Sequence, residues 1–258
     1  MVHADYKKAD IAGMTATEQL EKINVATREL VELQYSTYNR SLVPQLEAKG
    51  IRIIDAFEEL TAEQQEFVDK YFEETVYPVL TPMAVDASRP FPLIRNKTLN
   101  IAAFLLKKGE KKKEENYEFA TVQVPGVLPR IIPIPDGENH SFILLEQIIE
   151  KNMERLFLNY DVICAYPYRI MRNADLTIDE DEAEDLLQEI QKQLKKRQWG
   201  EIIRLEVEDK IDKKLLHFLK EELQIPKDDI YKINGPLDLT FLMKVYGIEG
   251  CDDLRYAP

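Results

Sequence analysis

Glycine, cysteine and tryptophan are scarce in this chain: 258 residues hold nine glycines, two cysteines and one tryptophan. So few glycines leave little material for a backbone cradle around phosphates. Neither a Gly-x-x-x-x-Gly-Lys-[Ser/Thr] loop nor a Gly-x-Gly-x-x-Gly turn occurs. His-Glu-x-x-His and Gly-x-Ser-x-Gly are missing too, which removes the commonest zinc-hydrolase and serine-hydrolase signatures. Cys164 and Cys251 form neither a Cys-x-x-Cys pair nor a disulfide framework, so reduced thiols in a cytosol are the expectation. No apolar run approaches the length of a membrane span, and the first ten residues contain no signal-peptide core. Positive charge is in deficit, with 34 Lys and Arg against 47 Asp and Glu and a formal net charge of −13. A surface that grips a polyanion needs clustered cations. Binding of nucleic acid or another polyanion by the chain as a whole is therefore disfavoured, although a local basic pocket is not.

What is present suits a soluble globular protein: 45% hydrophobic and 31% charged residues. The length fits one large domain or two modest ones. The chain is organised around residues Tyr71 to Leu106, where a helical pattern ends, four prolines follow (Pro78, Pro82, Pro90 and Pro92) and the first strand pattern begins. Proline fixes φ and removes a backbone donor, so this run is neither a regular helix nor a central strand. It reads as a passage between two architectures, dividing the chain into a helical part, residues 1–80, and an α+β part, residues 81–258.

Thr15-Ala-Thr-Glu18 and Thr61-Ala-Glu-Gln64 both fit a capping box. After the first, Leu20, Ile23, Leu30, Leu33, Tyr38, Leu42 and Leu46 recur at helical spacing up to Gly50, with Pro44 predicting a kink or local break near Ser41. Ile51 to Ile54 reads as a short extended link. The second box opens a helix whose apolar face carries Phe67, Val68, Tyr71 and Phe72. The two helices are expected to be part of an antiparallel helical bundle whose further partner lies upstream. Beyond the junction, strands are expected over Thr98–Leu106, Tyr117–Val124, Arg130–Ile134, Val162–Arg172, Ile202–Val207 and Ile230–Ile233. Helices are expected over Phe142–Leu158 (with Ser141 as N-cap), Asp179–Arg197, Ile211–Leu223 and Leu237–Val245. Strand–helix–strand units of this kind imply an α+β domain with a mixed sheet.

Candidates for chemistry are few. His3, His140 and His217 share no sequence context, and a surface or packed histidine is the simpler reading of each. Cys164, within Val-Ile-Cys-Ala, reads as a small core residue rather than a nucleophile. The acidic run Asp179 to Asp185 suits a cation, but equally a helix N-terminus with favourable charge placement. Lys111 to Lys113 read as a solvated hairpin tip. Arg89, Arg95, Asn96 and Lys97 are the most telling polar set: cation and amide donors on the junction itself. Arginine forks suit phosphate oxygens. The competing reading is that these four cap the strand and hold a domain interface.

Several stretches also resemble the histidine-dependent polyphosphate kinases of bacteria. The most specific are Tyr77-Pro-Val-Leu-Thr-Pro-Met-Ala-Val-Asp86 and Phe91-Pro-Leu-Ile-Arg-Asn-Lys-Thr-Leu-Asn100. Ile11-Ala-Gly-Met-Thr-Ala-Thr-Glu-Gln-Leu20, Phe119-Ala-Thr-Val-Gln-Val-Pro125, Leu128-Pro-Arg130, Tyr168-Arg-Ile-Met-Arg-Asn-Ala-Asp175 and Gly247 to Tyr256 extend it over essentially the whole chain. The resemblance implies the end of an N-terminal helical domain followed by a head domain. It further implies a parent enzyme that reversibly transfers the terminal phosphate of ATP to polyphosphate through a phosphohistidine, with magnesium. In that family the reacting histidines belong to two C-terminal domains that resemble phospholipase D, and an Asn-Asn-Leu-Asp-Glu-Phe-like nucleotide element lies upstream of the stretch matched here. No catalytic, cofactor-binding or metal-binding residue is thus carried over. The expectation is a cytoplasmic, inactive portion of the enzyme, with ATP and magnesium bound elsewhere in the parent. Its partners are the parent's own catalytic domains and further copies of itself, joined through the head. The alternative is a free-standing helical and α+β interaction module with no enzymatic parent.

Overall fold

The computed structural model describes residues 9, 11, 13–85, 91–137, 139–173 and 200–255. The expected helix Asp179–Arg197, its acidic run, His3 and Arg89 lie outside the described residues.

Helix α1 (Ala16–Thr37) opens on the capping box: Thr15 N–H donates to the Glu18 carboxylate at 2.7 Å, and Glu18 N–H donates back to the Thr15 hydroxyl. The break expected near Ser41 is a π-helical turn, Tyr38–Leu42, leading into α2 (Val43–Glu47). Pro44 has no N–H to give the Arg40 carbonyl, and the ladder slips so that Val43 N–H reaches Tyr38 O instead. Gly50, at φ +77°, then turns the chain.

At the next step one sequence expectation is sharpened and another fails, for one reason. Ile51–Ile54 is not a bare link but strand β1, paired in parallel with β6 (His140–Leu144), which also pairs with β5 (Ile131–Ile134). Ser141 is therefore a strand residue and no N-cap, and its hydroxyl donates to the Asp136 carboxylate. Ser-Phe-Ile-Leu is as good a strand as a helix start by local propensity, and pairing on both sides decides it. The helix starts later, as α4 (Leu145–Lys151) and α5 (Met153–Leu156), broken at Asn152.

Helix α3 (Ala62–Tyr71) carries the second capping box, and the buried Gln64 also donates to Pro135 O at 2.8 Å. It runs on as a π turn, Phe72–Val76. Val68, Phe72 and Val76, one helical step of four apart, are all buried, whereas Phe67 turns to solvent and does not join the apolar face.

The main sheet has six strands in the order β2-β4-β3-β7-β8-β9. They are β2 (Pro82–Val85), β3 (Leu99–Lys107), β4 (Tyr117–Gln123), β7 (Tyr160–Arg172), β8 (Ile202–Glu208) and β9 (Ile230–Ile233), all antiparallel to their neighbours except the parallel pair β8/β9. Pro82 is the first residue of an edge strand, a position that needs no ladder donor. On β3, Ile101, Ala103 and Leu105 face a core shared with α3 and α4, while Ala102 and Phe104 face a second core under α6 (Lys213–Glu222). That two-sided burial explains why β3 is apolar at nearly every position. Helix α6 is capped by Asp212, which accepts from the N–H of Lys214 and Leu215, and buries Leu215 and Leu219, each worth about 1.5–3 kcal/mol of transfer free energy. Its Phe218 stacks on Phe119 at 4.7 Å.

The expected order of a helical region followed by an α+β portion with a mixed sheet is what the chain adopts. The two long helices enter different cores. Tyr35 of α1 is buried with Tyr231, Ile233 and Leu237 at the β9 end, whereas Val68 and Phe72 of α3 belong to the core beneath β3. Leu20, Ile23, Leu30 and Leu33 of α1 are exposed, while Tyr38 is buried beside Ile51, Phe142 and Phe241. A short 3-10 turn, Leu239–Phe241, and α7 (Leu242–Val245) close this third core.

Candidate functional site

Of the four junction donors, Arg95, Asn96 and Lys97 sit consecutively on the turn that feeds β3. Lys97 is left-handed, at φ 61°. Its N–H donates to Ile170 O at 2.9 Å and its carbonyl accepts from Arg169 Nε at 3.2 Å. Asn96 Oδ1 accepts from Arg172 N–H at 2.9 Å, and Arg172 in turn donates to the carbonyls of Ile94 and Gly200. The turn is thus stitched to the end of β7 through the backbone. Arg95 is exposed, and among the described residues its guanidinium has no partner. Arg89 falls outside the described residues.

The densest polar constellation was not singled out by sequence. Glu206 on β8 is buried and accepts from Arg169 on β7 at 3.0 Å and from Arg204 at 2.7 Å. Arg169 also reaches Asp238 at 3.5 Å. Arg130 forks onto the buried Glu146 at 2.6 Å and donates to the carbonyls of Leu237 and Asp238. The Arg204 guanidinium lies 3.9 Å from the Tyr231 ring centre. Asp238 itself is left-handed, at φ 60°, and its carboxylate caps the following turn by accepting from Thr240 N–H. Three arginines thus meet three carboxylates. Their forks are directed at carboxylates, carbonyls and an aromatic face of the same chain. This charge-balanced hub fixes the loop 234–238; it presents no uncompensated cation to a phosphate and holds no nucleophile. Little in the sequence points to it, because Arg130 and Asp238 are 108 residues apart and no motif spans them.

An acidic cleft of about 450 Å³ opens between α4 and β8, lined in part by Asp55, Gln147, Glu150, Glu208 and Lys210. Burial, then the nearby Glu208, push Glu150 up to about 8, against the pull of Lys210. Burial likewise raises Asp55 and Glu208. Lys210 is raised chiefly by the charge of Glu208. The cleft therefore stores a proton near neutral pH. Among the described residues, no three acidic, histidine or cysteine side chains are arranged to hold a metal.

The remaining candidates lie apart. His140 starts β6 and is partly buried, and His217 is exposed on α6. Cys164 is partly buried in β7, where burial pushes its thiol up and away from reactivity. Lys111 to Lys113 are exposed on the hairpin between β3 and β4, with Lys113 paired to Glu115 at 3.2 Å.

Comparison with known proteins decides the family. Residues 63–245 match the model of the polyphosphate kinase middle domain, and residues 1–54 match that of the polyphosphate kinase N-terminal domain. The chain belongs to the polyphosphate kinase family. A polyphosphate kinase of Lactiplantibacillus plantarum is 46% identical over 99% of this chain, which spans 35% of that relative. One from Bacillus anthracis is 46% identical over 91% of the chain and 34% of the relative. The chain thus spans about a third of the length of the polyphosphate kinases it matches. Its fold is also that of the polyphosphate kinase crystal structure from Porphyromonas gingivalis, at a TM-score of 0.69 and 21% identity, over 93% of this chain and 34% of that one. The expected division at residue 80 falls inside the segment matched by the middle-domain model.

Proposed function

We propose that this chain is the helical and head portion of a polyphosphate kinase and serves as scaffold and subunit-association surface. Phosphoryl transfer is then the work of the rest of the parent enzyme, which moves the terminal phosphate of ATP onto polyphosphate and back through a phosphohistidine. The observation that carries this reading is the charge-balanced hub. The best-organised polar group of the fold binds its own loop 234–238 and the ends of its own strands, as a scaffold's would. The net charge of −13 supports the same reading, because it repels a polyanion from the surface as a whole. ATP and magnesium accordingly bind in the remainder of the parent. Of the junction set, Arg95 is the described residue whose guanidinium is open to a phosphate or a neighbouring domain. The parent is a cytoplasmic homo-oligomer joined through its heads, and family membership favours this over a free-standing interaction module.

The association role is tested by light-scattering mass of the purified chain across a concentration series. The reading expects a mass that rises to a defined multiple of the protomer. A strict monomer at high concentration would contradict head-mediated association.

A further inference from the structure

Strand β9 is the last strand of the main sheet, and α1 lies along its open side. Ile233 O accepts from Asp209 N–H on the β8 side. Because backbone groups alternate sides along a strand, Ile230 and Lys232 direct theirs to the open edge. Side chains on one face of α1 and of the π turn after it meet that edge and the turns on either side of it; of the bonds that follow, the one from Arg28 to Ile230 O falls on β9 itself. Asn24 Nδ2 donates to Asp228 O at 3.1 Å, and Arg28 donates to Asp228 O and to Ile230 O. Further on, Asn39 Nδ2 donates to Asn234 O at 2.7 Å and the Tyr35 hydroxyl to Pro236 O at 2.9 Å. Residues 24, 28, 35 and 39 fall on one helical face. Lys232 is the gap: it is exposed, receives no such bond from α1, and lines a groove of about 790 Å³ with Arg28, Val31, Glu32 and Tyr35.

We propose that α1 is an edge guard. Its polar face substitutes for a neighbouring strand, and loss of that face frees β9 to pair with the β9 edge of a second copy. An uncovered strand edge is a template for such pairing, and α1 covers this one with side-chain donors that present no ladder of their own. The proposal concerns β9 alone and is independent of the head-mediated association above, because its readout is mass relative to the wild type.

The test is an Arg28→Ala/Asn39→Ala variant of the full chain, alone and combined with Lys232→Pro, followed by light scattering and far-UV circular dichroism. The folded double variant is expected to show about twice the wild-type mass as concentration rises, as a two-fold edge pair requires. Lys232→Pro, which deletes the edge N–H, returns it to the wild-type mass. A folded double variant that keeps the wild-type mass throughout would overturn the proposal. So would enlarged species that persist with Lys232→Pro. Should the double variant lose its fold, Arg28→Ala alone gives the same readout, because it still removes the α1 donor to Ile230 O.

Discussion

Arg169 and Glu206 face each other in register across β7 and β8, 3.0 Å apart, and both are largely buried. Glu206 also holds Arg204, so one carboxylate is shared by two guanidinium groups, with Asp238 supplying a second negative charge beside Arg169. Removing a partner from a buried pair leaves an uncompensated charge, which costs more than the pair itself contributes. Glu206→Ala is expected to destabilise the chain by about 3–5 kcal/mol, measured by urea unfolding. A loss no larger than that of an exposed pair such as Lys70–Glu74 would show that the hub is not integral to the fold.

Much of this architecture was legible in the sequence, for physical reasons that differ by element. The capping boxes at Thr15 and Thr61 and the two-sided apolar run of β3 are local signals, and the structure repeats them. Ser141 misled because an N-cap serine and a strand serine look alike until the neighbouring strands are known. The α1 stripe is met in part: Tyr38 is buried and Leu42 and Leu46 pack beside it, Leu20, Ile23, Leu30 and Leu33 face solvent, and Tyr35, which the stripe did not include, makes the contact near β9. The hub was invisible because its members come together only after β5, β7, β8 and the 234–238 loop have assembled.

The contact between α1 and loop 234–238 turns on Gly235 and Tyr35. Gly235 has φ +138°, and a Cβ there would lie 3.3 Å from the Tyr35 ring. Gly235→Ala is expected to cost more than about 1 kcal/mol, because alanine is strained at that φ before it meets the ring. Tyr35→Phe, which loses the bond to Pro236 O, should cost about 1 kcal/mol. Chemical denaturation of both variants checks the order.

The acidic cleft makes stability depend on pH in a stated direction. Folded Glu150 titrates at about 8, whereas an unfolded glutamate titrates near about 4.3. Between those values the folded chain binds more protons than the unfolded one, so stability falls as pH rises through this window. The slope from one such group is at most about 1.4 kcal/mol per pH unit. Asp55 and Glu208, also raised, act in the same sense. Lys210 is raised above 10.5 and titrates outside the window. Glu150→Gln is expected to flatten the profile between pH 5 and 8, roughly the window these shifts define, as followed by thermal melts. An unchanged slope would count against a stored proton at Glu150.

Thr61 caps α3 at the edge of the main core. Thr61→Ala removes the acceptor for Gln64 N–H and is expected to cost about 1 kcal/mol. Thr61→Ser should restore most of it. Equal losses in both variants would assign the effect to packing of the methyl group rather than to the cap.

The most direct test of the scaffold reading is an assay of the purified 258-residue chain with ATP and magnesium for polyphosphate formation and for acid-labile phosphate on histidine. The reading predicts neither product, for the wild type and for His140→Ala/His217→Ala alike. Polyphosphate formed by the wild-type chain would contradict it, because the chemistry would then reside within this scaffold; its persistence in the double histidine variant would further show that neither histidine carries it.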